Sequence, residues 1–205
     1  MGTAERKSKD KEILKDMILQ AARKLFIENG IEQTTIRKIA NDIEYSVGTV
    51  YLYYKDKNDI LHDLHTQGFR QLGGEMRVLS HVADPMERLK AIGRVYIRFA
   101  LENPDMYDLM FNMKAPMEFL ESVYKKEWNE GKATFDVLKN NIEQCMQKGH
   151  FKGHQLEPLA FVIWGTVHGI CSLHISQRVK GVNLEDPDTV LLKAYEEFVL
   201  MIDKE

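Results

Sequence analysis

Apolar residues recur at three- and four-residue steps along most of this chain, and the pattern is broken at a few sharp points. Over residues 10–29, Ile13/Leu14, Met17/Ile18, Ala21/Ala22 and Leu25/Phe26 form one stripe, which predicts a helix ended by Asn29-Gly30. Residues 1–9 are polar and predict a solvated tail carrying Arg6, Lys7 and Lys9. Ile36, Ile39, Ala40 and Ile43 give a second, short apolar face. Glu44-Tyr45 interrupts it, and Ser46 is a good N-cap for a third helix through about Tyr53. On that helix Val47, Val50 and Tyr54 face inward, leaving Gly48, Thr49, Tyr51 and Tyr53 partly outward. A long fourth helix opens near Lys57 and passes Ile60, Leu61, Leu64 and Phe69 toward Leu79. Gly73-Gly74 inside it costs about 1 kcal/mol per glycine and predicts a bend. His62 and His65 lie three apart on one face, a pair that predicts solvent exposure rather than metal binding.

Five further helices follow. Asp84-Pro85, Asn103-Pro104 and Asp186-Pro187 each set a capping side chain before a proline, which is what a helix start needs. Pro116 opens a helix running to about Lys148, and Pro158 one running to about Val179, with Gly149 and Gly153 in the loop between. No strand alternation competes, so the expected class is all-α with about nine helices. Residues 1–56 read as a small three-helix domain and residues 57–205 as a helical bundle. Two short helices joined by a tight turn over residues 34–57 have the layout of a helix-turn-helix, whose second helix enters the DNA major groove.

The ordered residues there, TT-x-x-x-I-A-x-x-I-x-x-S-x-G-T-x-Y-x-Y-Y-K-D-K from Thr34 to Lys57, resemble the signature of the tetracycline-repressor (TetR) family of one-component bacterial regulators. The chain departs from the pattern at Ile43-Glu44-Tyr45, where family members often carry Ala-Gly-Val. If the turn residue has positive φ, Glu44 costs about 1–2 kcal/mol relative to glycine. Further on, W-G-T-V-H-G from Trp164 to Gly169, with the NPDMYDLMF segment, resembles the C-terminal region of the subgroup named for its Trp-His-Gly motif. The resemblance implies a ligand-responsive transcriptional regulator that binds a pseudo-palindromic double-stranded operator as a homodimeric repressor, with no enzymatic activity and no cofactor. It also implies a dimer seam through the last two helices, whose apolar surface exceeds what one helical layer needs.

Position then selects the DNA-contacting candidates. Thr34, Thr35 and Arg37 open the second helix, Ser46, Gly48, Thr49, Tyr51 and Tyr53 lie on the recognition helix, and Lys57 opens the fourth helix for a phosphate. The body carries many aromatics and thioethers. Tyr96, Phe99, Tyr107, Met110, Phe111, Trp128, Trp164 and His168 are the candidates for a cavity that takes a small hydrophobic or aromatic effector. Read one by one, such residues are also ordinary core. His168, Cys171 and His174 carry ligand atoms, but the first and last diverge by about 120° around a helix, so no metal is expected.

Composition narrows the alternatives. Residues 1–57 hold 11 Lys and Arg against 9 Asp and Glu, and the remainder 17 against 22, so a mildly basic end sits on an acidic body. The two cysteines set no disulfide framework and fit a reducing compartment. The start lacks the apolar core of a signal peptide and no run of eighteen apolar residues occurs, so a cytoplasmic protein without a membrane partner is expected. The competing reading is a helical-bundle small-molecule binding protein or enzyme without a DNA role. Against it stand the lack of a Ser/His/Asp ordering, of a Gly-rich phosphate loop and of a Glu-x-x-His pair.

Overall fold

The computed structural model describes residues 3–113, 130–187 and 189–203. Among them the regular elements are all helical: α1 (Thr3–Asn29), α2 (Ile36–Asp42), α3 (Val47–Tyr51), α4 (Lys57–Val78), α5 (Pro85–Glu102), α6 (Pro104–Phe111), α7 (Glu130–Gln147), α8 (Leu156–Ile175) and α9 (Val190–Ile202), with 3-10 turns at Leu79–His81 and Arg178–Val182. The chain forms two compact units, and the boundary falls inside α4, between Gly68 and Phe69.

The first unit holds the chain up to Gly68 together with the segment that begins at Asp105. The apolar stripe of α1 is buried at Ile18, Ala22 and Phe26, α1 packs on α2 and α2 on α3, and Ile39 and Ala40 of α2 and Val50 of α3 are buried as well. The helix starts seven residues earlier than its stripe predicts, at Thr3 rather than Asp10. Ala4 to Lys9 are mostly good helix formers with no glycine or proline, and Glu5 suits the positive end of the helix dipole. His65 overturns the expectation of solvent exposure: it is 3% exposed. Its Nε2 lies 3.0 Å from the carbonyl of Leu109 in α6, and a carbonyl only accepts, so Nε2 carries the hydrogen. Burial pushes its pKa down to about 4. Three residues on, a Cβ at Gly68 would collide with the sulfurs of Met106 and Met110.

The second unit holds the rest of α4, then α5 and the segment carrying α7 to α9. Asp84 caps α5 as its sequence predicts, accepting from the amides of Met86 and Glu87 at 2.9 Å each, with Pro85 at the first helical position. The start expected at Pro116 for α7 lies outside the described residues. The helix runs through the Gly73-Gly74 pair, where a Cβ on Gly73 would sit 2.7 Å from Thr134 Oγ1 while Gly74 faces open space. At Gly93, α5 meets the ring of Tyr195 in α9, whose hydroxyl donates to the carbonyl of Lys90 at 2.7 Å. The Lys90 ammonium in turn bridges Glu87 at 2.6 Å and Asp203 at 2.9 Å, which ties the end of α9 to α5.

Helix α8 differs from its expectation in two ways. It stops at Ile175 rather than about Val179, because Gln177 takes a left-handed conformation with φ +59°. It is also long and apolar enough to cross a membrane, with a mean hydropathy of 1.4 and most of its residues not buried. Counting uninterrupted apolar runs missed this, because glycine, threonine, histidine and serine break the run without adding charge.

Two outcomes follow from these contacts. Gly93→Ala is expected to lower the urea midpoint by an amount equivalent to about 1–3 kcal/mol, and adding Tyr195→Phe to recover part of it by removing the oxygen nearest the new methyl. His65 gives a pH dependence of definite sign. The unfolded ring protonates near 6.5 and the folded one only near 4, so its contribution is complete above 6.5 and is lost as pH falls toward 4. Between pH 7 and 5 the loss should be about 2 kcal/mol in the parent chain, and smaller by about that amount in His65→Gln, measured by urea unfolding at both pH values.

Candidate nucleic-acid interface and effector region

The local sequence builds the turn between α2 and α3 residue by residue. Ile43 closes α2, Glu44 takes φ +59°, and the amide of Tyr45 returns to the carbonyl of Ala40 at 2.9 Å. The residue standing where family members often place glycine is thus the one with positive φ. Ser46 then caps α3. Its Oγ accepts from the amide of Thr49 at 3.0 Å and lies 2.8 Å from Thr49 Oγ1. Both hydroxyls are paired with each other, with lone pairs left over.

The inward face of α3 is held firmly. Val50 and Tyr54 are buried as predicted, while Val47 is only half-buried. The Tyr54 hydroxyl donates to Asp63 Oδ2 at 3.0 Å, and Lys15 pairs with the same carboxylate oxygen at 2.8 Å. Burial, with Asp63 beside it, holds the Tyr54 pKa well above the ordinary tyrosine value. On the outward side, Gly48 and Tyr51 are exposed. Tyr53 is half-buried and lines, with Tyr45 and with Lys11, Leu14 and Met17 of α1, a groove of about 460 Å³. Sequence reading missed Leu52, which is 81% exposed at the end of α3. The available signal was its position four residues after Gly48, one helical turn along the same line.

The residues at the start of α2 divide. Thr35 is its N-cap, accepting from the amide of Lys38 at 3.2 Å, and Arg37 is exposed. Thr34 must be removed from the DNA-contacting candidates. It is 1% exposed, and its hydroxyl lies 3.0 Å from the carbonyl of Leu25 and 2.9 Å from that of Gly30. Turning inward satisfies the end of α1, whose last carbonyls have no helical partner. Lys57 opens α4 as predicted, but its ammonium donates to the carbonyl of Ile31 at 2.9 Å, which leaves two of its three hydrogens for another acceptor.

Among the effector candidates, the second unit brings Tyr96, Trp164 and His168 together. Trp164 Nε1 lies 3.4 Å from the Tyr96 hydroxyl, which lies 3.0 Å from His168 Nδ1. Indole N–H only donates, so the relay that satisfies all three runs from Trp164 through Tyr96 to an accepting His168 Nδ1. Burial pushes the His168 pKa down, which favours that neutral ring. Phe135 and Phe161 each meet Trp164 edge-on at 5.9 Å. Phe99 is buried in the same unit. In the first unit Tyr107 and Met110 are buried, with Phe111 5.0 Å from Tyr107. Trp128 lies outside the described residues. Both cysteines are buried, and burial pushes their thiols up to about 11 at Cys145 and about 12 at Cys171.

Comparison with known proteins agrees with this geometry. The family described as "Tetracyclin repressor-like, C-terminal domain" matches residues 89–198, and "Bacterial regulatory proteins, tetR family" matches residues 18–64. The HTH-type transcriptional regulator HbdR of Aromatoleum sp. (strain CIB) is 50% identical over 44 residues, 22% of this chain and 19% of that protein. The fatty acid metabolism regulator protein of Bacillus subtilis (strain 168) is 41% identical over 54 residues, 26% of this chain and 28% of that protein. The chain thus aligns with less than a third of the length of either relative. In fold, it is similar to the transcriptional regulator FadR from Bacillus subtilis in complex with stearoyl-CoA, with a TM-score of 0.67 and 21% identity over 89% of this chain and 96% of that one.

The strained turn generates its own test. Glu44→Gly should relieve the left-handed penalty, less the entropy glycine adds to the unfolded chain, and so raise stability by about 0.5–1 kcal/mol in thermal unfolding.

Proposed function

The chain belongs to the TetR family of bacterial DNA-binding regulators, which are not enzymes, and on that premise we propose that it is a cytoplasmic, homodimeric repressor of a pseudo-palindromic operator, released by a small hydrophobic or aromatic effector. The observation that carries this reading is the α3 surface: a helix anchored by Val50 and Tyr54 that presents Gly48, Tyr51 and Leu52 outward. Arg37 and Lys57 flank it as candidates for phosphates. Residues 1–56 act as the reading head and residues 57–205 as the ligand and dimer body.

The dimer seam runs through α8 and α9. Phe161, Val162 and Leu173 on α8 and Leu192, Leu200 and Met201 on α9 are exposed in the single chain, and a twofold copy would cover them. The effector engages the Tyr96–Trp164–His168 cluster, where an apolar body and one polar relay suit a molecule with an apolar part and a polar end. The stearoyl-CoA in the FadR structure makes long-chain acyl thioesters the first compounds to assay. Binding shifts the equilibrium between two spacings of the heads, and α4, which has residues in both units, carries the shift. The effector acts only through its differential affinity for the two spacings.

Selection from a random duplex pool at near-physiological salt tests the reading. An inverted repeat should be enriched, Tyr51→Ala should weaken its binding by roughly tenfold or more, and the fold should persist. Phe161→Glu with Leu192→Glu should give a monomer by light scattering. A folded parent dimer that enriches no repeat would overturn the proposal.

A further inference from the structure

Helix α3 carries no hydrogen-bonding side chain along the middle of its outward face. The conformation stays helical through Leu52, at φ −70° and ψ −18°, with its amide bonded to the carbonyl of Thr49. At about 100° per residue, Gly48 and Leu52 therefore both lie nearly opposite the buried Val50, with Thr49 and Tyr51 on the two flanks. Leu52 is 81% exposed, more than any other large apolar side chain described.

Gly48 makes a second, separate observation. Its φ is not positive, and a Cβ there would meet only Ser46 Oγ at an ordinary 3.7 Å. The fold has room for alanine, and glycine inside a helix is the poorer choice for stability. Nothing inside the fold requires the side chain to be missing, and its absence leaves the backbone of α3 open to close approach.

We propose that Gly48 sets the depth of α3 in the major groove and that Leu52 reads the 5-methyl group of a thymine in each half-site, as a specificity-determining residue. The inference rests on the reading of the chain as an operator-binding dimer. Among the groups on base edges in the major groove, the thymine methyl is the apolar one, and a leucine can only select by apolar contact. Neither Thr49 nor Tyr51 takes the central line from it, because each lies about a quarter turn away.

The test uses the enriched operator, the full chain and deoxyuridine, which removes the methyl and leaves the hydrogen-bonding edge unchanged. Thymines are replaced one symmetric pair at a time, and binding is measured for the parent, Leu52→Ala and Leu52→Met. At one pair the parent should lose about fourfold per half-site, or roughly fifteenfold over both. Leu52→Ala should lose less than twofold there, and Leu52→Met should keep most of the parent's discrimination. Gly48→Ala should weaken operator binding at least tenfold while leaving the melting temperature unchanged or higher. An operator bound tightly with no Leu52-dependent uracil effect overturns this inference alone. A Gly48→Ala protein that binds like the parent overturns the depth assignment. Failure to enrich any inverted repeat overturns the operator reading and this inference with it.

Discussion

A helix of five residues has no stability of its own in water, so the position of α3 is imposed entirely by its neighbours. Val50 and Tyr54 fix its inward side by burial, and Asp63 holds the Tyr54 hydroxyl while Lys15 holds Asp63. Thr34 and Lys57 secure the approach by occupying the carbonyls of Leu25, Gly30 and Ile31 around the end of α1. Unpaired and buried, such groups would each cost about 1–3 kcal/mol. The head thus divides its residues in two. Those that hold the recognition helix are turned inward, and the outward side is left to Arg37, Gly48, Tyr51 and Leu52, which have little structural duty.

The glycines of the long helices express a related constraint. In the first unit Gly68 lets α4 approach the Met106 and Met110 sulfurs of α6, beside the bond from His65 to Leu109. In the second unit Gly73 lets the same helix approach Thr134 of α7, whose hydroxyl lies 3.2 Å from the carbonyl of Phe69. Five residues apart, these approaches leave no room for a methyl group on either. Each pairs a close steric contact with a hydrogen bond, so sliding α4 along its axis would break both at once in either unit.

What could be read in advance was whatever is decided within a few residues. The Asp84-Pro85 start and the Ser46 cap depend on local dihedrals and neighbouring amides and are visible in the chain, whereas the positive φ of Glu44 is only a condition there, raised by its place where family members often carry glycine. Thr34 and His65 were misjudged because their partners, Leu25 and Leu109, are set by packing at separations of 9 and 44 residues. The helical start of α1 was missed because polar residues with good helix propensity look the same in a tail and in a helix. Leu52 was overlooked for another reason. Its side chain has no hydrogen-bonding group, and angular position alone marks it as the residue above Gly48.

Helix α8 is long and apolar enough to cross a membrane, so its neighbours decide what can cover it. Helix α9 packs against it and exposes Lys193, Glu196 and Glu197. In hydrocarbon, charged side chains near a helix centre each cost on the order of 2.5–3.5 kcal/mol, so lipid covering both helices would oppose insertion. A second protein surface carries no such penalty, since charges at the rim of an interface stay in water while the centre is dry. Gly165 and Gly169 on α8 have open space where a Cβ would be, which lets another helix approach closely. Phe161 and Val162 are exposed on the same helix as those glycines, and Leu192 and Met201 are exposed on α9, so both helices keep bulky apolar side chains uncovered in the single chain.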